Sequence, residues 1–281
     1  MTFSTPVDIE RPSFQIAPCE RMLFVGSCFA DRIGARFAEE RFPVCVNPYG
    51  VMYNPASILH TVERMMTVEG GESRVEGKEF KTVVLTLGTN HVYVEKATGE
   101  IVDNCQKRPQ RLFDERVLTV DECAHYLERG ISLLTQHYPD IRVILTVSPI
   151  RYRKYGFHGS QLSKATLLLA IEQVITSHLS PPNPQLYYFP AYELVLDELR
   201  DYRFYADDML HPSAQAVEYI WQHLVDTCFS PEAKRYLEEW RPVKEALNHK
   251  PFNPDSAEYQ AFIQKAKEQE AALAARYPGF V

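Results

Sequence analysis

The sequence predicts an α/β fold, a three-layer α/β/α sandwich in which a mainly parallel five-stranded sheet lies between two layers of helices. The first observation is a set of short, almost continuously apolar runs such as Thr82–Leu87, which are typical of parallel strands buried on both faces. The second is that these runs alternate with segments of helical spacing, as the crossovers between parallel strands require. The third is that several runs end at a small residue, including Gly26, Gly88 and Ser148. We expect the strand order 2-1-3-4-5.

Each element follows from a local pattern. The predicted strands are Met22–Val25, Pro43–Val46, Thr82–Leu87, Ile141–Val147 and Leu186–Phe189. The predicted helices are Phe29–Arg41, one that begins at Pro55, Val120–His137, Gln161–Leu179, Ala191–Leu199 and Pro212–Cys228. The apolar face of the helix that begins at Gln161 is expected at Leu162, Ala165, Leu169 and Ile171.

The chain is predicted to form one main domain with a helical C-terminal extension. Residues 1–230 hold the predicted strands, whereas residues 231–281 are rich in Glu, Lys and Ala and show no strand pattern. Val92–Val94 and Ile101–Val102 flank a turn and predict a small hairpin at the edge of the main domain.

Composition excludes several classes of protein. The formal net charge of −7 disfavours a nucleic-acid partner, which usually requires a basic face. The first 20 residues resemble no secretory leader, and no stretch approaches the roughly 20 apolar residues that span a bilayer, so we expect a cytoplasmic location and no membrane partner. The 6 cysteines include no C-x-x-C pair, which favours reduced thiols over a zinc site. We expect neither a metal nor an organic cofactor.

The residues that carry chemistry follow the strands, because ligands of open α/β sheets bind beyond the carboxyl ends of the strands. Ser27 follows the first strand, at the start of a helix whose N-terminal amides favour an anion. Serine needs an adjacent base to act as a nucleophile, usually a histidine that a carboxylate orients. Asp208 and His211 are three residues apart, which is close enough for such a pair.

An oxyanion formed on attack needs hydrogen-bond donors aimed at it. The predicted donors are the amides of Ser27 and Gly50 and the side chain of Asn90, in the turn that begins at Gly88. Asn104 is the alternative amide donor.

Gly26-Ser27-Cys28-Phe29-Ala30 is the signature of the GSCFA family, and the sequence resembles that family over about Thr5 to Cys228. The GSCFA family is similar to the SGNH, or GDSL-type, hydrolases, which share a three-layer α/β/α, flavodoxin-like fold. The resemblance implies that Ser27 is the nucleophile and that Gly50 is the glycine after the second strand. It also implies that Gly88 and Asn90 form the G-x-N motif and that Asp208 and His211 form the D-x-x-H motif.

Two features depart from the SGNH pattern. The turn has Ser-Cys where typical SGNH enzymes have Asp-Ser or Asn-Ser, so Gly26 precedes the predicted nucleophile and Cys28 follows it. Glu69–Glu79 is a short glycine- and charge-rich linker where a longer segment is expected in the family, so part of the substrate wall is expected to be reduced.

Several residues have a structural and a functional interpretation. Ser27 alone would be a helix N-cap. Cys28 is expected to be a small buried side chain, with a reactive thiol as the alternative. His91 is expected to be incidental, with a second base or binding residue as the alternative. The basic loop with Arg151, Arg153, Lys154 and His158 is expected to be a solvated charge run, with binding of an anionic substrate group as the alternative.

These observations predict a serine-dependent ester hydrolase that forms an acyl-enzyme, with small-molecule or saccharide esters as substrates. The first alternative is an O-acyltransferase that uses the same site and passes the acyl group to a saccharide hydroxyl. The second is a non-catalytic binding protein on the same fold, since a fold does not by itself imply a function.

Overall fold

A computed structural model describes residues 5–67, 79–105, 107–177 and 185–281. The strands are β1 (Met22–Gly26), β2 (Val44–Val46), β3 (Thr82–Leu87), β4 (His91–Glu95), β5 (Ile101–Val102), β6 (Phe113–Val117), β7 (Arg142–Val147) and β8 (Leu186–Tyr188). The first helices are α1 (Cys28–Glu39), α2 (Pro55–Thr67), α3 (Val120–His137), α4 (Gly156–Ser177) and α5 (Ala191–Glu193), which continues as a π-helix over Leu194–Leu199. The last are α6 (Ala214–Cys228), α7 (Pro231–Asn248) and α8 (Ala257–Arg276).

The main sheet has the parallel order β2-β1-β3-β7-β8, which confirms the predicted order 2-1-3-4-5. Alternate strand residues point to two separate cores, because successive side chains of a strand face opposite sides of the sheet. Phe24, Val84 and Ile144 belong to the core under α1 and α6. Val83 and Val143 belong to the core under α2, α3 and α4. The structure is therefore the predicted three-layer sandwich.

The predicted hairpin is part of a larger unit, a three-stranded antiparallel sheet with the order β5-β4-β6. The sequence did not predict β6, because Phe113–Val117 carries three charged residues and only Phe113 is buried. This small sheet follows β3 directly and therefore lies next to the carboxyl edge of the main sheet, where it forms one wall of a cavity described below.

Helix α4 corrects one prediction. It begins at Gly156 rather than Gln161, and the predicted Leu179 lies outside the described residues, as do residues 69–78 of the predicted linker. Leu162 and Leu169, expected on the buried face, are 57% and 58% exposed, and Ala165 is exposed as well. Ile171 is buried as expected, and so is Lys164. The polar face turns inward because it bonds to the loops at the carboxyl edge of the sheet.

Helices α7 and α8 pack on the α1 side, and residues 231–281 contain no strand, as predicted. The side chains of Tyr236 and Trp240 donate hydrogen bonds to the carbonyls of Glu40 and Glu39, at 2.7 and 3.2 Å. The last carbonyls of α1 have no partner within the helix, so α7 satisfies two of them. The domain boundary at residue 230 stays a prediction.

Candidate active site

The turn between β1 and α1 depends on a glycine that touches the neighbouring strand. Gly26 has φ +147°, and a Cβ placed on it would overlap the carbonyl oxygen of Thr86 in β3. No other residue fits this approach without displacing one of the two strands. The departure at position 26 from the SGNH pattern is therefore explained by contact between the strands.

Ser27 occupies the predicted place but is completely buried, with an exposed fraction of 0%. Its amide donates to the carbonyl oxygen of Thr86 at 3.1 Å and to Thr86 Oγ1 at 3.0 Å. Its Oγ accepts a hydrogen bond from the amide of Phe29 at 3.3 Å and lies 3.3 Å from Thr86 Oγ1. Ser27 is therefore the N-cap of α1, and its role as nucleophile stays a prediction.

Cys28 is the first residue of α1 and is partly exposed, so the expectation of a buried side chain is wrong. Its Sγ lies 3.5 Å from the hydroxyl of Tyr53. Of these two adjacent residues, the N-cap Ser27 is buried and Cys28 is partly exposed.

Asp208 and His211 form a hydrogen-bonded pair. Asp208 Oδ2 lies 2.5 Å from His211 Nδ1, and Asp208 Oδ1 accepts the amides of Leu210 and His211 at 2.9 Å each. These backbone amides and the imidazole hold the pKa of the Asp208 carboxyl well below its usual range. An ionised Asp208 fixes the Nδ1–H tautomer, which leaves His211 Nε2 available as a base.

Arg151 fastens the loop that carries this pair. Its amide donates to the carbonyl of Leu210 and its Nη1 to the carbonyl of Met209, both at 3.0 Å. The guanidinium also lies 4.1 Å from the centre of the Phe157 ring. Because Arg151 follows β7 closely, these bonds hold the Asp208–His211 loop at the carboxyl edge of the sheet.

The other basic residues of this loop do not form a single cluster. Lys154 donates to Glu115 Oε2 at 3.0 Å and contacts the Tyr93 hydroxyl. Arg153 and His158 are exposed. The loop is therefore a set of separate contacts rather than one cationic cluster.

Gly88 lies directly beside Ser27. A Cβ placed on Gly88 would lie 3.3 Å from Ser27 Cβ and would overlap the hydroxyl of Tyr152. The amides of Gly88 and Thr89 both donate to the carbonyl of Tyr53, at 2.9 and 2.8 Å. The structure thus brings the turns after β1 and β3 together, as predicted.

The predicted oxyanion donors all have other partners in this structure. The amide of Gly50, where φ is +100°, donates to the carbonyl of Asn47 at 2.8 Å. The side-chain nitrogen of Asn90 donates to the carbonyl of Leu118 at 2.7 Å, and its Oδ1 has no partner among the described residues. The amide of Ser27 donates to Thr86. Their role at an oxyanion stays a prediction.

A cavity of about 620 Å³ opens beside the turn after β3, between the small sheet and the loop after β7. Asn104 lies in its wall, whereas Ser27 does not line it. His91 also lines it, stacks on Tyr155 with ring centres 3.6 Å apart and pairs with Glu115 at 3.0 Å. Burial lowers the pKa of His91. The stack on Tyr155 and the pairing with Glu115 hold this ring in the wall of the cavity.

Sequence reasoning missed Lys164, whose side chain is buried behind the site. Its Nζ donates to the carbonyls of Gly88 and Ser148, at 2.6 and 2.7 Å, and so joins the ends of β3 and β7. The hydroxyl of the adjacent Ser163 accepts a hydrogen bond from the backbone amide of Asn90 at 3.0 Å. The sequence does carry a signal for this buried polar face. Ser160, Ser163 and Lys164 are spaced three and four residues apart, as residues on one face of a helix are.

The site residues gather at one edge of the sheet but are not joined into one hydrogen-bonded chain. Ser27, Cys28 and Gly88 are neighbours, and Asp208 and His211 reach the same edge through Arg151. Among the residues that the structure describes, no hydrogen bond connects His211 to Ser27 or Cys28.

The chain thus forms an α/β/α domain with a hydroxyl and a thiol directly after β1 and a D-x-x-H pair before α6. The chain belongs to the GSCFA family, whose model matches residues 21–75 and 71–224, and the C-terminal domain model of the GSCFA domain protein matches residues 240–280. The comparison with curated proteins found no match.

Solved structures that are similar to this one have low sequence identity to it. One is a family two carbohydrate esterase from Clostridium thermocellum in complex with cellohexaose, at 12% identity and TM-score 0.47, covering 75% of this chain and 64% of that one. Another is a member of the lipolytic G-D-S-L family from Veillonella parvula, at 11% identity and TM-score 0.45, covering 74% and 97%. A third is an acetyl-xylooligosaccharide esterase from Geobacillus Stearmophilus, at 14% identity and TM-score 0.46, covering 78% and 98%.

None of the helices in the described ranges has the length and apolar content needed to cross a bilayer.

Proposed function

We propose that this protein is an ester hydrolase that works through an acyl-enzyme. The observation that carries the proposal is the Asp208–His211 pair, in which a carboxylate held by two backbone amides binds His211 Nδ1 at 2.5 Å. A histidine fixed in this way takes a proton through Nε2 during attack and returns it to the leaving alcohol. The nucleophile lies in the Ser27–Cys28 turn, and Ser27 is the residue that the sequence predicts.

The cavity beside the turn supports acylated saccharides as the substrate class. Tyrosines form much of its lining, namely Tyr53, Tyr93, Tyr152 and Tyr155, and polar side chains such as Asn104 and Arg108 complete it. Aromatic rings offer flat apolar surfaces with polar tips, and the polar groups offer hydrogen bonds that orient a ligand. A sugar ring presents both kinds of surface.

The test is hydrolysis of a panel of acetylated saccharides and of 4-nitrophenyl esters with increasing acyl length. We expect activity on short acyl groups, and a fall in kcat of about 10²–10⁴-fold in His211→Ala, because the general base is lost. His125→Ala is the matched control, since His125 is exposed on α3. Analysis of the products for free acid or for a newly acylated saccharide separates hydrolysis from acyl transfer.

Two results would contradict the proposal. One is a wild-type protein that hydrolyses no member of the panel. The other is full activity in His211→Ala on an ester that the wild type hydrolyses.

A further inference from the structure

The hydroxyl of Ser27 is poorly placed to attack a substrate. The residue has no exposed surface, and its Oγ already accepts the amide of Phe29 at 3.3 Å as the cap of α1. A serine that attacks a carbonyl carbon must meet both that carbon and a base. Ser27 Oγ contacts instead the amide of Phe29 and Thr86 Oγ1, each at 3.3 Å.

Cys28 has the access that Ser27 lacks. Its side chain is partly exposed, and its Sγ lies 3.5 Å from the hydroxyl of Tyr53. Tyr53 lines the cavity of about 620 Å³, so the thiol lies one side chain away from the space available to a substrate. As the first residue of α1, Cys28 also lies at the helix terminus that favours negative charge.

A second group points to the same place. The Tyr152 hydroxyl is buried and has no hydrogen-bond partner among the described residues. It lies against Gly88, beside Ser27, and its ring packs edge-on against Tyr53 with centres 6.3 Å apart. Burial foremost, and then the neighbouring Tyr53 and Cys28, raises the pKa of Tyr152 well above its ordinary value, so this hydroxyl stays protonated and able to donate.

The base is held at the same edge. The carbonyl of Leu210, one residue before His211, accepts the amide of Arg151, one residue before Tyr152. This hydrogen bond therefore joins the loop that carries His211 to the segment that carries Tyr152.

We propose that the attacking atom is Cys28 Sγ and that Tyr152 donates a hydrogen bond to the reacting carbonyl oxygen. The inference rests on the proposed ester hydrolase. His211 Nε2 takes the thiol proton as the sulfur bonds to the ester carbonyl carbon, and collapse of the adduct breaks the bond to the alcohol oxygen, which receives that proton. Water then attacks the thioester while His211 takes a proton from it. The carbon–sulfur bond breaks, the carboxylic acid leaves, and the proton returns to the thiol.

In this reaction Ser27 positions the thiol. Its bonds to Phe29 and Thr86 fix the first turn of α1 against β3 and so fix the direction in which Cys28 leaves the helix. A thiol is a stronger nucleophile than a hydroxyl and needs less activation. The exposed Asp208–His211 pair is suited to that smaller task.

The experiment traps the acyl group. Wild type, Ser27→Ala, Cys28→Ala and the control Cys45→Ala are mixed with 4-nitrophenyl acetate, quenched in acid and digested, and the acetylated peptide is sequenced by mass spectrometry. We expect acetyl on Cys28 that neutral hydroxylamine removes, as it does a thioester. We expect Cys28→Ala to lose at least about 10³-fold in kcat, as loss of a nucleophile does in other hydrolases. Ser27→Ala should still form the adduct.

Acetyl on Ser27, or labelling of Ser27 by a fluorophosphonate that survives in Cys28→Ala, would overturn the inference and leave the proposed esterase standing. If the wild type hydrolyses no ester, alkylation by iodoacetamide tests the inference separately. We then expect Cys28 to react about 10²-fold more slowly in His211→Ala than in His125→Ala, because the base is gone. Equal rates in the two variants would overturn it. Tyr152→Phe should lower kcat with little change in KM, whereas unchanged kcat would remove Tyr152 from the reaction.

Discussion

Lys164 gives a stability prediction whose size follows from the structure. The side chain is 2% exposed, and no carboxylate pairs with it among the described residues. Burial lowers its pKa from 10.5 to about 7. A neutral amine has two N–H groups, and Lys164 has two carbonyl acceptors, on Gly88 and Ser148, so the uncharged form meets both.

The sign of the pH effect follows from proton binding. Between pH 7 and pH 10.5 the unfolded chain holds a proton on Lys164 that the folded protein has released, so the free energy of unfolding rises with pH in this window. The slope for one proton is about 1.4 kcal/mol per pH unit, which gives about 2 kcal/mol between pH 7 and pH 9. Lys164→Met keeps a linear side chain and removes the titrating group.

The assay is urea unfolding of wild type, Lys164→Met and Lys265→Met at pH 7, 8 and 9. Lys265 is exposed on α8 and is the matched control. The difference in free energy of unfolding between wild type and Lys164→Met should increase by about 2 kcal/mol from pH 7 to pH 9. The difference for the control should stay constant. A constant difference for Lys164→Met as well would refute the reasoning.

Three further predictions concern the site. Gly26→Ala should destabilise the protein by about 2–5 kcal/mol, because its Cβ would overlap the carbonyl of Thr86 at a strained φ, and urea unfolding measures this; unchanged stability would contradict the contact. Asp208→Asn should lower kcat by about 10²–10⁴-fold while circular dichroism stays native, because the imidazole loses its orienting carboxylate, and full activity would remove Asp208 from the reaction. Arg151→Ala should lower kcat by about 10-fold with KM nearly unchanged, because the loop of the base loses one of two anchors, whereas a rise in KM alone would indicate substrate binding.

The fold was predictable because its signals are local and repeated. Strands such as Thr82–Leu87 are buried on both faces and therefore read as continuous apolar runs, and the glycines after them mark the functional edge. The strand β6 was missed for the opposite reason, since most of it is exposed and charged. The D-x-x-H pair was predictable because its two residues are close in sequence and need only one turn to meet.

Contacts between distant segments were not predictable. The spacing of Ser160, Ser163 and Lys164 marks a polar face on α4, but it does not show that Lys164 meets the carbonyls of Gly88 and Ser148. The exposure of Ser27 and Cys28 depends on how the first turn of α1 packs against β3, which involves residues 59 positions apart in the chain. The side-chain nitrogen of Asn90 donates to the carbonyl of Leu118, which lies 28 residues later in the chain.

The attachment of α7 to the end of α1 has a consequence for the site about 18 Å away along the helix. Cys28 is at one end of α1, and the carbonyls of Glu39 and Glu40, held by Trp240 and Tyr236, are at the other. If α1 tilted as a rigid body, the hydrogen bonds from Trp240 and Tyr236 to its C-terminal end would be disturbed. The C-terminal helices therefore hold the far end of the helix whose first residue is Cys28.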